Sequence, residues 1–129
     1  WDDIRELTSG YFAGHEPLRD RSKKRAHKQQ TPVALLTRII LSSTKTDDLV
    51  FDPFAGTGTT LVVAKQLQRK SVGIELDSDN VSLIEKRLGS LRQADDITKL
   101  WDDYAHTKNL HKIWELPENI KVKNSSKLK

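Results

Sequence analysis

Two glycines one residue apart, Gly56 and Gly58, stand in the run Asp52-Pro53-Phe54-Ala55-Gly56-Thr57-Gly58-Thr59-Thr60. Glycine permits a tight backbone turn and leaves no Cβ between main chain and ligand. Amides that open a helix after such a turn can donate to an anionic group. The hydroxyls of Thr57, Thr59 and Thr60 can bind a ligand carboxylate. An acidic residue, Glu75, follows 19 residues beyond Gly56. At that spacing a carboxylate near the end of the next strand can accept hydrogen bonds from ribose hydroxyls. An ordinary tight turn would use the same glycines, but the acid at this distance favours a ligand site. The Rossmann dinucleotide pattern is incomplete, because its third glycine would fall at Leu61. No Gly-Lys-Ser/Thr follows, which excludes a phosphate-binding P-loop.

The elements that must hold these groups can be read around them. Leu49, Val50 and Phe51, between Asp48 and Asp52, predict a short buried parallel strand. A helix is expected over 59–68, burying Leu61, Ala64 and Leu67, and a second strand over 71–76. Ser78 can cap a further helix to about Leu88, with Val81, Ile84 and Leu88 on one face. The result is a βαβ unit whose two strand ends bring the glycine loop and Glu75 to one crevice. Upstream, Thr31 is placed as the N-cap and Pro32 as the first residue of a helix. That helix carries Val33, Leu35, Leu36, Ile39 and Ile40 and ends near 42–44. Downstream, a helix over 96–104 aligns Ile97, Leu100, Trp101 and Tyr104, and Leu110, Ile113 and Trp114 form an apolar anchor. These aromatics read as core or docking groups. Asp47 and Asp48 read as turn residues.

The chain has 129 residues, 22 Lys and Arg against 18 Asp and Glu, and a net charge of +4. The size suits one domain, divided here into a basic arm (1–30), an α/β core (31–91), and a helical segment with a Lys-rich, fraying tail (92–129). No apolar run reaches ~18 residues, so no membrane-spanning helix is expected, and the start resembles no signal peptide. The absence of Cys excludes disulfides, a thiolate zinc site and a cysteine nucleophile. His15, His27, His106 and His111 lack metal-ligand spacing, so no metal is expected.

The run from Asp52 to Thr60 resembles the S-adenosylmethionine-binding motif of DNA methyltransferases that modify the N6 amino group of adenine or the N4 group of cytosine. Gly73-Ile74-Glu75-Leu76-Asp77 resembles their second motif. His27-Lys28-Gln29-Gln30-Thr31-Pro32 and the helix after it resemble the segment placed before the first motif in the permuted β class. Trp1-Asp2-Asp3-Ile4 looks like the lead-in, so the likeness runs from residue 1 to about 115. It implies a Rossmann-like class I α/β fold, of which this chain holds the cofactor-binding portion.

The resemblance further implies S-adenosylmethionine bound by Thr31, Asp52, Pro53, Phe54, Gly56, Thr57, Gly58, Thr59, Thr60, Glu75, Leu76 and Asp77. Phe54 would wall the pocket or pack in the core. Asp77 and Ser78 would border the adenine, where Ser78 reads better as a cap. The family has Pro after the His and Lys before the Pro, where this chain has Lys28 and Thr31. Its (Asp/Asn/Ser)-Pro-Pro-aromatic acceptor motif is absent, since Pro occurs only at 17, 32, 53 and 117. No catalytic residue is therefore assigned, and the acceptor motif is expected in an N-terminal half or a second polypeptide.

Double-stranded DNA is the implied substrate. Within the basic cluster, Arg21, Lys23, Lys24 and Arg25 are candidates for its phosphates, with a solvated loop as the equal alternative. A cytoplasmic, prokaryotic restriction-modification setting follows from the family, and a dimer is compatible with it. Two other readings stand beside this one: a non-catalytic cofactor-binding subunit, and an unrelated Rossmann-like nucleotide-binding domain.

Overall fold

The computed structural model describes residues 3–4, 15–19, 22–24 and 30–116. The 27–29 part of the upstream motif, the basic candidates Arg21 and Arg25, and the 121–129 tail lie outside the described residues.

The order is α1 (Val33–Ser43), β1 (Leu49–Asp52), α2 (Thr59–Gln66), β2 (Lys70–Gly73), α3 (Ser78–Gly89), two 3₁₀ segments (Gln93–Asp95 and Thr98–Tyr104) and α4 (Leu110–Ile113). The two strands pair in parallel, with Leu49 opposite Lys70 and Asp52 opposite Gly73, and α2 is the crossover between them. This is the expected α/β unit with a parallel sheet.

The centre of the core is α2. Its Leu61, Val62, Val63 and Ala64 are all buried, as is Leu67 at its end. Burial of each larger side chain contributes about 1.5–3 kcal/mol. Around Val63, Ala64 and Leu67 gather Val33, Ile40 and Leu41 of α1, then Ile97, Leu110, Trp114 and Leu116 from the C-terminal stretch. The stretch after Arg92 is thus part of the same core as the βαβ unit. Trp114 is met edge-on by Trp101 at 5.1 Å and by Tyr104 at 5.7 Å, a favoured aromatic arrangement.

Several expectations are corrected. Pro32, not Thr31, occupies the N-cap position, and it offers no side-chain acceptor. The first amide of α1 is satisfied instead by Glu16, whose Oε1 accepts from Val33 N at 2.6 Å. Asp77, not Ser78, caps α3, accepting from the amides of Asp79 and Asn80. Its carboxylate is held one residue before the helix, where a cap must sit. The second strand ends at Gly73 rather than near position 76, because Glu75 turns back to accept from the Asp77 amide. The expected 96–104 helix is a 3₁₀ segment from Thr98. Asp96 accepts from both the amide and the hydroxyl of Thr98, a local turn that competes with α-helical bonding.

Finally, β1 is not buried on both faces. Val50 faces the core, but Leu49 and Phe51 are 62% and 57% exposed. The described helices pack through α2 onto one face of the sheet, and Leu49, Phe51, Val72 and Ile74 mark the other.

Candidate functional site

At the C-terminal ends of both strands the chain opens a cleft of about 500 Å³. Open parallel sheets bind ligands at this edge. The loop after β1 is built by its glycines. Gly56 has φ 53° and Gly58 φ 77°, a region costly for residues with a Cβ. Gly58 is fixed on a second ground, because a Cβ there would lie 2.6 Å from Cγ1 of Ile84. That close approach lets α3 pack directly beneath the turn. Asp52 stabilises the start of the loop by accepting from the Phe54 amide at 3.0 Å.

Of the twelve residues assigned to the cofactor, ten line this cleft: Thr31, Asp52, Pro53, Phe54, Gly56, Thr57, Thr59, Thr60, Glu75 and Leu76. Gly58 and Asp77 are not among the lining residues: the first turns toward Ile84 and the second caps α3. Ala55 and Ile74 join the lining. Thr57 and Thr59 are almost buried, and their hydroxyl oxygens lie 3.5 Å apart. Phe54 is 88% and Leu76 98% exposed, so neither is core packing. They are apolar faces presented to the cleft.

Glu75 lines the same cleft. Its Oε1 accepts from the Asp77 amide at 2.8 Å. That bond, with others from the Gly56 amide and the Asn80 side chain, holds its carboxyl below the ordinary value against a smaller opposing effect of burial. The group is an anion at neutral pH. A carboxylate offers about four acceptor sites, so it can still receive ligand hydroxyls.

Among the basic candidates, Lys23 and Lys24 are exposed. Arg19 closes their turn by donating to the Lys23 carbonyl at 3.0 Å. Among the described residues, no three His, Asp or Glu side chains are grouped to hold a metal ion, and no helix is long and apolar enough to cross a membrane.

Reading the sequence left out a polar network beneath the loop. Arg87 of α3 is 2% exposed and Asp95 is fully buried. Arg87 donates to both oxygens of Asp95, at 3.1 and 2.9 Å, and its Nη1 donates to the Thr57 carbonyl and the Thr59 hydroxyl. The only signal in the sequence was position: Arg87 stands three residues after Ile84, on the stripe that faces the core.

A sequence profile described as DNA methylase matches residues 8–86, which include the whole loop and Glu75. The chain belongs to the DNA methylase family. That membership sets aside the unrelated nucleotide-binding reading. M.HinfI, a type II methyltransferase of Haemophilus influenzae, is 47% identical over 79 residues, covering 61% of this chain and 22% of that protein. M2.LlaDCHI, a type II methyltransferase of Lactococcus lactis subsp. cremoris, is 48% identical over 73 residues, covering 55% and 27%. The chain therefore spans about a quarter of the length of these two relatives. The crystal structure of the M1.HpyAVI–SAM complex is 41% identical, with a TM-score of 0.48, and the likeness covers 51% of this chain and 34% of that one.

Proposed function

We propose that this chain is the S-adenosylmethionine-binding portion of a DNA methyltransferase acting on the N6 amino group of adenine or the N4 group of cytosine. The observation that carries the reading is the convergence of the Asp52–Thr60 loop and Glu75 on one cleft, in a chain of the DNA methylase family. The donor set fits the cofactor. Glu75 is an anion that can accept from ribose hydroxyls. Phe54 offers a flat aromatic face and Leu76 an aliphatic contact to a purine. Gly56, the threonines of the loop and Thr31 give a close backbone and hydroxyls for the amino-acid end.

When bound, S-adenosylmethionine supplies an electrophilic methyl group on a sulfonium. The work of the chain is to hold the two ends of that molecule so that the methyl carbon is fixed relative to an incoming amine. Phe54 and Leu76 also keep water from the bound purine. No cysteine is needed for direct transfer, and the chain has none. The groups that accept the target base come from outside these 129 residues, from the same longer polypeptide or from a second one. The order of the segments, with Thr31 and α1 ahead of the loop, supports the permuted β arrangement. Lys23 and Lys24, with Arg21 and Arg25, would meet phosphates of double-stranded DNA.

Isothermal calorimetry with the 129-residue chain tests the reading. S-adenosylmethionine and S-adenosylhomocysteine should bind, NAD and ATP should not, and Glu75→Gln should weaken both. Binding of NAD or ATP in their place would sink the proposal.

A further inference from the structure

Besides the 74–76 segment, the cleft is lined by Thr31 and the 52–60 loop, which are far apart in sequence. Both lead back to one buried carboxylate. On one side Arg87 grips Asp95 with Nε and Nη2 and keeps Nη1 for the Thr57 carbonyl, at 2.5 Å, and the Thr59 hydroxyl, at 3.2 Å. On the other side Arg92 also grips both oxygens of Asp95, at 2.7 and 2.6 Å. The same Arg92 donates to the Glu16 carbonyl at 3.0 Å. Gln30 donates to that carbonyl too, at 3.1 Å, and accepts from the Leu18 amide at 2.9 Å. The Glu16 side chain in turn holds the Val33 amide. Thr31 is thus bracketed by Gln30 and Val33, each tied to Glu16.

A buried ion pair is a weak source of stability, because desolvation offsets the attraction. Apolar residues of equal volume would fill this space as well. They could not hold a carbonyl of the glycine loop and a backbone stretch of the arm on one anchor. Arginine suits the task because its planar fork meets both carboxylate oxygens and keeps a separate nitrogen for another acceptor, a fixed geometry that the single ammonium of a lysine lacks. All three residues lie past position 86, where the family profile ends.

We propose that Arg87 and Arg92, joined through Asp95, are positioning residues that fix the loop and the Thr31 stretch relative to one another, and so set the shape of the cleft at the amino-acid end of the cofactor. The inference rests on the S-adenosylmethionine reading for its ligand, but not for the clamp itself.

The test uses the whole chain, with Arg87→Lys and the less buried Arg92→Gln. Two probes are titrated by calorimetry: S-adenosylhomocysteine, and 5′-deoxy-5′-methylthioadenosine, which lacks the amino-acid end. Exchange of the Gly58 and Val33 amides is followed by NMR without ligand, against the Val72 amide of β2. Arg87→Lys should weaken S-adenosylhomocysteine by ~10–100-fold, as expected for a small misplacement of contacts. Binding of methylthioadenosine should change by less than about 3-fold on the same argument. Gly58 exchange should quicken in Arg87→Lys and Val33 exchange in Arg92→Gln, with Val72 unchanged. Equal losses for both probes, or exchange that rises everywhere or nowhere, would overturn the proposal. If the parent chain binds neither probe, the cofactor reading fails, and the exchange data alone decide the clamp. If Arg87→Lys does not fold, Arg92→Gln decides by the same readouts.

Discussion

Among the described residues two arginines are buried, at opposite ends of the sheet, and they are used differently. Arg69 stands just before β2 and donates only to neutral oxygens: the hydroxyl and carbonyl of Thr44, and the carbonyls of Leu67 and Ile113. Those residues close the C-terminal ends of α1, α2 and α4, where unpaired carbonyls and the helix dipoles favour a cation. Burial holds its guanidinium below the ordinary arginine value, yet an arginine keeps its charge. Arg87 has a carboxylate partner and points its remaining donor at the cleft. The first arginine ties scaffold to scaffold, and the second ties scaffold to site. The difference explains why a domain with so few strands can afford two such groups: each satisfies backbone that would otherwise be left unpaired.

The largest effect should come from removing the shared anchor. Asp95→Ala leaves Arg87 buried without a counter-charge, and loss of one partner of a buried pair costs about 3–5 kcal/mol. Urea unfolding should register a loss of that size. If the change is near zero, the network is not a closed one and the contrast with Arg69 falls.

The same carboxylate sets a pH dependence. Burial pushes the Asp95 carboxyl up, but the hydrogen bonds and charges of Arg92 and Arg87 outweigh it, and the group lies below its ordinary value of 3.8. A carboxyl with a lowered pKa in the folded state stabilises above the unfolded value and loses that contribution as pH falls through the folded one. Stability should therefore drop in acid below about pH 4. Asp95→Asn should flatten that part of the profile, and Arg69→Met should leave its slope intact, since Arg69 donates to neutral oxygens that do not titrate.

Arg69→Met comes next in size. It frees carbonyls at three helix ends and should cost about 1–3 kcal/mol. S-adenosylhomocysteine affinity, measured well below the melting temperature, should stay within about 2-fold of the parent, because nothing it touches lines the cleft. An affinity loss as large as that of Arg87→Lys would erase the distinction between the two arginines.

The site was more legible in the sequence than the frame around it. The glycine loop, both strands and Glu75 follow from local rules: turn geometry, short apolar runs and spacing. Arg87, Arg92 and Asp95 do not, because a buried ion network has no period and no preferred spacing. Its partners at Glu16 and Thr57 lie dozens of residues away. The helix caps failed for a related reason. Thr31 and Ser78 are both good cap types, but the acceptors in use are Glu16, brought by tertiary packing, and Asp77, one residue earlier. The buried strand was misjudged because Leu49-Val50-Phe51 carries apolar residues for two faces, and the described helices cover one.

The smallest prediction concerns the end of α3 nearest the cleft. Asp77 accepts from the Asp79 amide at 2.8 Å and the Asn80 amide at 3.4 Å, while Ser78 is the first residue inside the helix. Asp77→Ala should cost about 1 kcal/mol, the usual value of a cap, and Ser78→Ala should cost almost nothing. The same helix carries Ile84 beneath Gly58 and Arg87 beneath Thr57, so fraying of its first turn tests how far the rigidity of the loop depends on it. If the clamp through Asp95 fixes the loop, Gly58 exchange in Asp77→Ala should stay close to that of the parent. A marked rise there would mean that the cap, not the buried arginine, anchors the site, and it would move the dividing line between scaffold and cleft to the start of α3.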